Sequence, residues 1–193
     1  GKLVASAAFR TTRGALRSLL SGYCRVAPER LRLALGAHGK PHLADHPDIH
    51  FNLSHSGDMA ACAIAVGCNL GIDIEVLRPV RYLDAVMKRS FTAAEQVALA
   101  EADGTVGEAR FLQQWTRKEA YVKARGTGLH LPLGSFGIVA ANDGRLCLSP
   151  PATELWRMLD LQPRTGYVGA LAANCAEIVV AERTVARLAD LRP

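Results

Sequence analysis

The sequence predicts an α+β fold, and three observations support this class. A helical pattern opens the chain, a group of strand-like runs follows it, and further helical patterns precede a second group of strands. An apolar fraction of 49% and a charged fraction of 21% are typical of a globular protein. With 193 residues, the chain can bury a substantial core as one domain or as two small lobes.

The first elements are one helix and four strands. Leu16, Leu19 and Leu20 recur on one face of a helix predicted over about residues 2 to 21, and arginines follow another face at helical spacing. These arginines are Arg10, Arg13 and Arg17. Strand-like runs follow near residues 31–35, 49–53, 59–66 and 70–76.

Three helices are predicted next, after the break at Arg78-Pro79. The first covers Tyr82 to Arg89, and the second opens at Thr92 and Glu95, which have the spacing of a capping box, and closes near Asp103-Gly104. The third is long, from about 106 to 125, and ends at Gly126, a residue suited to a left-handed C-cap.

The last part of the chain reads as strands. Asn142-Asp143-Gly144 is a strong hairpin signal, so two strands are expected to meet there. Further strand-like runs cover residues 154–159, 166–173 and 177–183.

Residues 71 to 76, Gly-Ile-Asp-Ile-Glu-Val, set two carboxylates inside an apolar strand. Successive strand side chains point to opposite faces, so Asp73 and Glu75 share one face, roughly 6 to 7 Å apart. Such acids raise each other's pKa and cost stability unless a cation or a donor lies between them. An edge strand with its polar face in water is the ordinary alternative for this pattern alone.

A third carboxylate lies on the long predicted helix, in Trp115-Thr116-Arg117-Lys118-Glu119. Glu119 and Lys123 are four residues apart and share a helix face, which alone would indicate no more than a surface ion pair. Together with Asp73 and Glu75, however, Glu119 offers oxygen ligands suited to a hard cation. Mg²⁺ shares its coordination positions with substrate phosphates, so the implied substrate is a diphosphate.

Four motifs occur in a fixed order: Gly39-Lys40-Pro41, Phe51-Asn52-Leu53-Ser54-His55-Ser56, Gly71-x-Asp73-x-Glu75 and Trp115-x-x-Lys118-Glu119-x-x-x-Lys123. This combination resembles the signature of the Sfp-type 4'-phosphopantetheinyl transferases, from near Phe9 to near Leu171. The resemblance implies two similar α/β lobes about a pseudo-twofold axis. We expect an N-terminal lobe over 1–77, a C-terminal lobe over 78–193 and an active site between them. The family's N-terminal strand is expected to be missing, with its basic positions reduced to Lys2.

The resemblance also implies a set of site residues. Asp73, Glu75 and Glu119 would hold Mg²⁺, with Mn²⁺ as a substitute, and Lys123 would steady the diphosphate and the departing phosphate. The serine nucleophile could be deprotonated by Glu119, by Glu95 or by a metal-bound water, and the sequence does not choose among them. The remaining coenzyme A contacts would be Arg17, Lys40, Ser54, His55 and Lys118, of which Lys40, Ser54 and His55 would meet the 3'-phosphate.

The expected reaction is Mg-dependent transfer of 4'-phosphopantetheine from coenzyme A to a serine of an apo acyl, peptidyl or aryl carrier protein, with release of adenosine 3',5'-bisphosphate. A coenzyme A or nucleotide binding module without transferase activity is the alternative. The net charge of +5 fits an anionic partner. Nucleic acid is disfavoured as that partner, because aromatics are only 6% and the arginines form no continuous stripe.

The five cysteines form no C-x-x-C pair and are odd in number, which favours reduced thiols over disulfides or zinc ligands. No apolar run approaches the length of a membrane span, and Leu3 to Phe9 is too short for a convincing signal peptide. We therefore expect a cytoplasmic, monomeric protein without a membrane partner.

Overall fold

The computed structural model describes residues 14–100 and 104–183. Their α+β arrangement confirms the predicted fold class. Helix α1 occupies residues 14–24 of the described chain. The later helices are α2 (Leu83–Ser90), α3 (Ala93–Ala100) and α4 (Gly104–Arg125). The strands are β1 (Leu33–Leu35), β2 (Pro41–Leu43), β3 (Ile49–Ser56), β4 (Met59–Val66), β5 (Leu70–Val76), β6 (Gly137–Ala140), β7 (Leu146–Ser149), β8 (Arg157–Leu161) and β9 (Tyr167–Ala173).

Strand β5 is the structural centre of this arrangement. It pairs antiparallel with β9, which pairs in turn with β8, and helix α4 packs against both β5 and β9. The strands β1 and β2, β3 and β4, and β6 and β7 form three separate antiparallel pairs. Five consecutive residues of β5, from Leu70 to Ile74, are buried, so the strand that carries Asp73 is covered on both faces.

Strand β3 lies beside the free edge of β5 and contacts it through side chains. Alternate polar side chains of β3 accept hydrogen bonds from alternate backbone N–H groups of β5, which would otherwise lack partners. Asn52 Oδ1 accepts from Ile72 N at 2.9 Å, Ser54 Oγ from Ile74 N at 3.2 Å, and Ser56 Oγ from Val76 N at 3.1 Å. The N-x-S-x-S alternation of β3 therefore has a structural function at this edge.

Three apolar clusters stabilise the described chain. One joins α1 to the strands that follow it, through Leu16, Leu20, Leu31, Leu43 and Phe51. A second lies under the carboxyl half of α4 and includes Tyr121, Phe136, Trp156 and Met158. The third gathers Phe91, Phe111 and Leu112, with Trp115 packed against it. Helix α4 contributes to the second and third clusters, which fixes its position over the sheet.

Several local predictions are confirmed. The backbone N–H and the hydroxyl of Thr92 donate to Glu95 Oε2 at 2.7 and 2.9 Å, and Glu95 N donates back to the hydroxyl, which is the predicted capping box. Gly126 ends α4 with a φ of 66°, as a left-handed C-cap requires. Strands β6 and β7 pair across the predicted Asn142-Asp143-Gly144 turn.

One strand was not predicted, and one predicted strand is not formed. The three-residue strand β2 was not expected, because so short a run carries little pattern. The strand expected at 177–183 is not formed, although Val179 and Val180 favour strands. Both side chains are exposed, and in the part of the chain that the structure describes no strand pairs with this segment. Strand propensity is realised only where a partner edge is available.

No helix among residues 14–100 and 104–183 has the length and the apolar content needed to cross a membrane.

Candidate active site

A cleft of about 690 Å³ opens between the β1–β2 turn, the carboxyl halves of α2 and α4, and the loop after α4. This volume lies within the range of small-molecule and cofactor sites. The cleft is lined by three cationic side chains, those of Lys40, Arg89 and Lys123, and by the carboxylate of Glu119. Such a lining suits a ligand with several negative charges.

Lys123 connects the cleft to the carboxylates of β5. Its ammonium donates to Asp73 Oδ1 at 2.6 Å, to Ser54 Oγ at 3.2 Å and to the Ile72 carbonyl at 3.2 Å. Asp73 is only 6% exposed, whereas the Lys123 side chain is about a quarter exposed and borders the cleft. Lys123 thus lies between the buried acid and the space that a ligand would fill.

The charged forms of Asp73 and Glu119 are both disfavoured, chiefly by burial. Burial raises the pKa of Asp73 even though Lys123 and Ser54 act in the opposite direction. Burial also raises the pKa of Glu119, and the negative charges of Asp73 and Glu75 raise it further. Among residues 14–100 and 104–183, the buried Oδ2 of Asp73 finds no hydrogen-bond partner. An added positive charge would relieve this arrangement.

The three predicted metal carboxylates are near enough to repel one another, yet they do not form a compact ligand set. In the described residues, no three His, Cys, Asp or Glu side chains are placed to hold a metal ion. The ammonium of Lys123 supplies the positive charge beside Asp73 instead. The residues do fit a hard cation in donor chemistry, because all three offer carboxylate oxygens and one buried oxygen of Asp73 has no partner.

Serine hydroxyls of β3 orient the carboxylates of β5. Ser54 Oγ donates to Asp73 Oδ1 at 2.8 Å, and Ser56 Oγ donates to Glu75 Oε2 at 2.6 Å. Each hydroxyl also accepts from the backbone N–H of the next residue on β5. Each serine therefore accepts a hydrogen bond from a backbone N–H at the edge of β5 and donates one to the carboxylate of the residue before it.

Lys40 lies in the wall of the cleft with part of its hydrogen-bonding capacity unused. Its ammonium donates to the carbonyls of Leu70 and Ala124 at 2.8 and 3.0 Å. An ammonium has three donors, so one remains for a ligand. Burial lowers the pKa of Lys40 to about 8. The predicted phosphate contact is consistent with this position.

The structure places Lys118 and Glu95 away from the cleft, in a buried network. Lys118 is 0% exposed and donates to Glu95 Oε2 at 2.5 Å and to the Phe136 carbonyl at 2.6 Å. Glu95 Oε1 accepts from Gln114 Nε2 at 2.6 Å and from Ile138 N at 3.0 Å. Neither side chain lines the cleft, so this geometry conflicts with a phosphate contact for Lys118.

The same network conflicts with a role for Glu95 as the base. Burial by itself raises the pKa of Glu95, but the hydrogen bonds from Lys118, Thr92 and Ile138 outweigh burial and hold that pKa below its ordinary value. A carboxylate whose oxygens are already occupied by donors is a poor proton acceptor. Glu95 and Lys118 join α3 and α4 to the start of β6, which is a structural function.

The side chains of Ser54 and His55 do not share one site. Successive residues of a strand point to opposite faces, and Ser54 is buried against Asp73 while His55 is exposed. A shared 3'-phosphate contact is therefore not supported for Ser54, and the assignment of His55 stays a prediction. Arg17 donates to the carbonyls of Pro28 and Leu31, which ties α1 to the turn after it. Arg10 and Arg13 lie outside the described residues.

Sequence reasoning gave no role to three motif residues, Asn52, Ser56 and Gly71, and missed Arg89 altogether. Asn52 and Ser56 hold the edge of β5, and the N-x-S-x-S alternation was the available signal. Arg89 lines the cleft from the end of α2, which no local pattern reveals. Gly71 stands where α4 crosses β5: a Cβ added there would lie 2.1 Å from the Ala120 carbonyl oxygen and 2.3 Å from Ala124 N.

The sequence profile of the 4'-phosphopantetheinyl transferase superfamily matches residues 69–172, which include β5, α4 and β9. The chain is 35% identical over 168 residues to the 4'-phosphopantetheinyl transferase HetI of Nostoc sp. (strain PCC 7120), an alignment that covers 85% of this chain and 69% of HetI. The chain therefore belongs to the Sfp-type 4'-phosphopantetheinyl transferases.

Two further relatives carry the same activity in their names. The chain is 35% identical over 136 residues to Sfp of Bacillus subtilis, covering 70% of this chain and 59% of Sfp. It is 31% identical over 182 residues to psf-1 of Bacillus pumilus, covering 90% of this chain and 76% of that relative. The chain thus spans between about three fifths and three quarters of the length of these three relatives.

Among solved structures, the holo-(acyl-carrier-protein) synthase of Bacillus anthracis, in complex with CoA (3',5'-ADP), is similar over 54% of this chain and 93% of its own, at 22% identity and a TM-score of 0.49.

Proposed function

We propose that this chain transfers the 4'-phosphopantetheine group of coenzyme A to a serine of an apo-carrier protein in a Mg²⁺-dependent reaction and releases adenosine 3',5'-bisphosphate. The observation that carries the proposal is the position of Lys123, which borders the cationic cleft and contacts the buried Asp73 of β5 at 2.6 Å. A diphosphate in this cleft would meet cationic side chains on its walls and carboxylates at one end. Family membership supports the reaction type.

The residues that would hold Mg²⁺ are Asp73, Glu75 and Glu119. Support comes from the unpartnered, buried Oδ2 of Asp73 and from the raised pKa values of Asp73 and Glu119, since both features disfavour this acid set in the absence of a cation. When bound, the ion would neutralise the diphosphate and make its β-phosphorus more electrophilic. Mn²⁺ is the expected substitute.

The side chains of the cleft would bind and align the donor. Lys123 would stabilise the negative charge that develops on the departing phosphate oxygen. Lys40 would use its free N–H on the 3'-phosphate. Arg89 adds a third cation at the cleft wall, where its guanidinium could bind a phosphate bidentately. His55 is the remaining candidate for the 3'-phosphate.

Glu119 borders the cleft and Glu95 does not, so of these two acids Glu119 is the one that could accept the proton of the attacking serine. Burial and the charge of Asp73 raise the pKa of Glu119 in the metal-free chain. Protons should therefore compete with Mg²⁺ for this acid as pH falls, and the Mg²⁺ concentration needed for transfer should rise at low pH.

Mass spectrometry of the carrier tests the proposal directly. The chain is incubated with coenzyme A, Mg²⁺ and a panel of apo acyl, peptidyl and aryl carrier proteins. We expect at least one carrier to gain the mass of phosphopantetheine, with adenosine 3',5'-bisphosphate formed in equal amount. Binding of coenzyme A without modification of any carrier would favour the alternative, a binding module without transferase activity.

Substitutions at Glu119 and Lys123 should separate metal binding from stabilisation of the leaving group. Glu119→Gln keeps the shape but loses a hard anionic ligand, so turnover should fall and the Mg²⁺ midpoint should rise. Lys123→Met keeps the apolar stem but removes the ammonium that would meet the departing oxygen, so turnover should fall about 10²-fold or more. Because the same ammonium neutralises Asp73, the Mg²⁺ midpoint should not rise. Initial rates over a Mg²⁺ titration measure both. Parental turnover in Lys123→Met, or an unchanged midpoint in Glu119→Gln, would contradict the assigned roles.

Coenzyme A affinity should depend on the charge of Lys40. With a pKa near 8 in the free protein, Lys40 is mostly protonated at pH 7 and mostly neutral at pH 9. A bound 3'-phosphate would raise that pKa, so affinity should fall as pH rises above 8 by up to about tenfold per pH unit. Calorimetric titration at several pH values measures this slope.

Two controls sharpen the Lys40 experiment. Lys40→Met should bind coenzyme A more weakly at pH 7 and with a flatter pH profile, and dephospho-coenzyme A should show little dependence on either pH or the substitution. An equal pH slope for both ligands would show that Lys40 does not contact the 3'-phosphate. The division into lobes 1–77 and 78–193, the monomeric state, the cytoplasmic location and the carrier served stay predictions.

A further inference from the structure

Cys68 and Cys175 lie just beyond one end of the central sheet, Cys68 before β5 and Cys175 after β9. The β5–β9 ladder ends at the pair of Leu70 with Ala173, and hydrogen bonds join the next residues, Asn69 and Asn174. Asn174 N donates to the Asn69 carbonyl at 3.1 Å, and Asn69 N donates to Asn174 Oδ1 at 2.7 Å. Cys68 and Cys175 come next along the two segments, each in a bend outside the strands.

The hydrogen bonds between residues 69 and 174 keep the two chain segments adjacent one residue beyond the ladder. Cys68 and Cys175 each follow one residue after this contact, and a hydrogen bond between their thiols brings the two sulfur atoms together. A disulfide requires Cα atoms roughly 4.4 to 6.8 Å apart, a spacing typical of residues on adjacent antiparallel segments.

The two thiols also interact in the reduced state. Burial raises the pKa of the Cys68 thiol, and the adjacent Cys175 raises it further through its charge and a hydrogen bond. The Cys175 thiol donates to the Glu177 carbonyl at 3.1 Å. Both cysteines are free and partly exposed, so a small reagent can reach them. The other cysteines are Cys24 and Cys62, which pack in the α1 cluster, and Cys147 on β7.

We propose that Cys68 and Cys175 form a redox modification site, in which a low-molecular-weight disulfide such as glutathione disulfide converts the two thiols into an intramolecular disulfide. One thiolate attacks the glutathione disulfide, and a first glutathione thiolate leaves. The second protein thiolate then attacks the cysteine sulfur of the mixed disulfide, and a second glutathione leaves. In balance, two cysteine thiols are oxidised, one glutathione disulfide is reduced to two glutathione molecules, and the thiol protons pass to these products.

The bond would join the turn before β5 to the segment after β9. It would close a loop of more than a hundred residues, which restricts the unfolded chain strongly. It would also hold the start of β5, where the Leu70 carbonyl accepts from Lys40. The site does not depend on the transferase proposal, and its test uses no coenzyme A.

The test compares the reduced and oxidised chain. The full chain is equilibrated with glutathione buffers of increasing oxidised fraction, quenched by acid, and measured as intact protein and as peptides by mass spectrometry. We expect a species lighter by two hydrogen atoms whose peptides link Cys68 to Cys175. Its Tm should be higher than that of the reduced chain by about 5 °C or more.

Three variants complete the experiment. Cys68→Ser and Cys175→Ser should each lose the linked peptide and the rise in Tm, whereas Cys147→Ser, at an exposed cysteine without a cysteine opposite it on β6, should keep both. Oxidation that yields only glutathione adducts at Cys68 and Cys175, or links either of them to another cysteine, would overturn the proposal. An equal rise in Tm in Cys68→Ser would overturn it as well.

Discussion

Lys118→Met should destabilise the protein by about 3 to 5 kcal/mol, the range for removing one partner of a buried ion pair. The substitution leaves the Glu95 carboxylate charged and buried, and it also removes the donor to the Phe136 carbonyl. The effect is large because Lys118 is 0% exposed, so water cannot replace the lost ammonium. Urea unfolding of the parent and the variant at pH 7 measures the difference.

The preceding residue of the same helix, Arg117, offers a matched control. Arg117 forms a bidentate pair with Asp160, at 2.8 and 2.6 Å, but both side chains are partly exposed. Arg117→Met should therefore cost about 1 kcal/mol or less. Replacing both buried partners, as in Lys118→Met with Glu95→Leu, should recover part of the loss. Equal costs for Lys118→Met and Arg117→Met would contradict the buried network.

The buried Glu95–Lys118 network should make the free energy of unfolding depend on pH in the acid range. Because the pKa of Glu95 in the folded chain lies below its ordinary value, its contribution to stability is complete above the ordinary value of 4.5 and is lost as pH falls through the lower, folded value. Unfolding free energies measured between pH 7 and pH 3 should show this loss in the parent. Glu95→Gln should start less stable and show a smaller loss over that interval.

Gly71→Ala is expected to disrupt both folding and transfer. The added Cβ would lie 2.1 Å from the Ala120 carbonyl oxygen, 2.3 Å from Ala124 N and 2.9 Å from the Lys123 carbonyl carbon, so α4 must move away from β5. Overpacking costs about 1 to 3 kcal/mol and occasionally more, and backbone atoms relax less readily than side chains. We expect a cost at the upper end of that range or above it.

The displacement should also separate Glu119 and Lys123 on α4 from Asp73 on β5. Turnover of Gly71→Ala should therefore fall even at temperatures where the variant is fully folded, which thermal unfolding and initial rates on the same sample decide. Gly14→Ala is the control, since no atom of the described residues lies within 4 Å of a Cβ added at Gly14. A Gly71→Ala protein with parental Tm and parental turnover would show that the close approach of the two elements is unimportant.

Local pattern was sufficient for most elements. The helix α4, its left-handed cap at Gly126, the capping box of α3 and the β6–β7 turn follow from interactions within a few residues, so the sequence predicts them. The strand expected at 177–183 failed because a strand requires a partner edge, and neighbouring residues do not reveal whether one exists.

The sequence by itself determined the family, through the order of four motifs, and the alternation that places Asp73 and Glu75 on one face of β5. Only the tertiary structure decided what each motif residue contacts. Lys118 and Glu95 are buried in a shared network, and Ser54 contacts Asp73 while His55 is exposed. Gly71 lies where the backbone of α4 passes so close to β5 that a Cβ would clash. The physical reason is that burial and the closeness of two backbones depend on elements distant in the chain, which local spacing does not record.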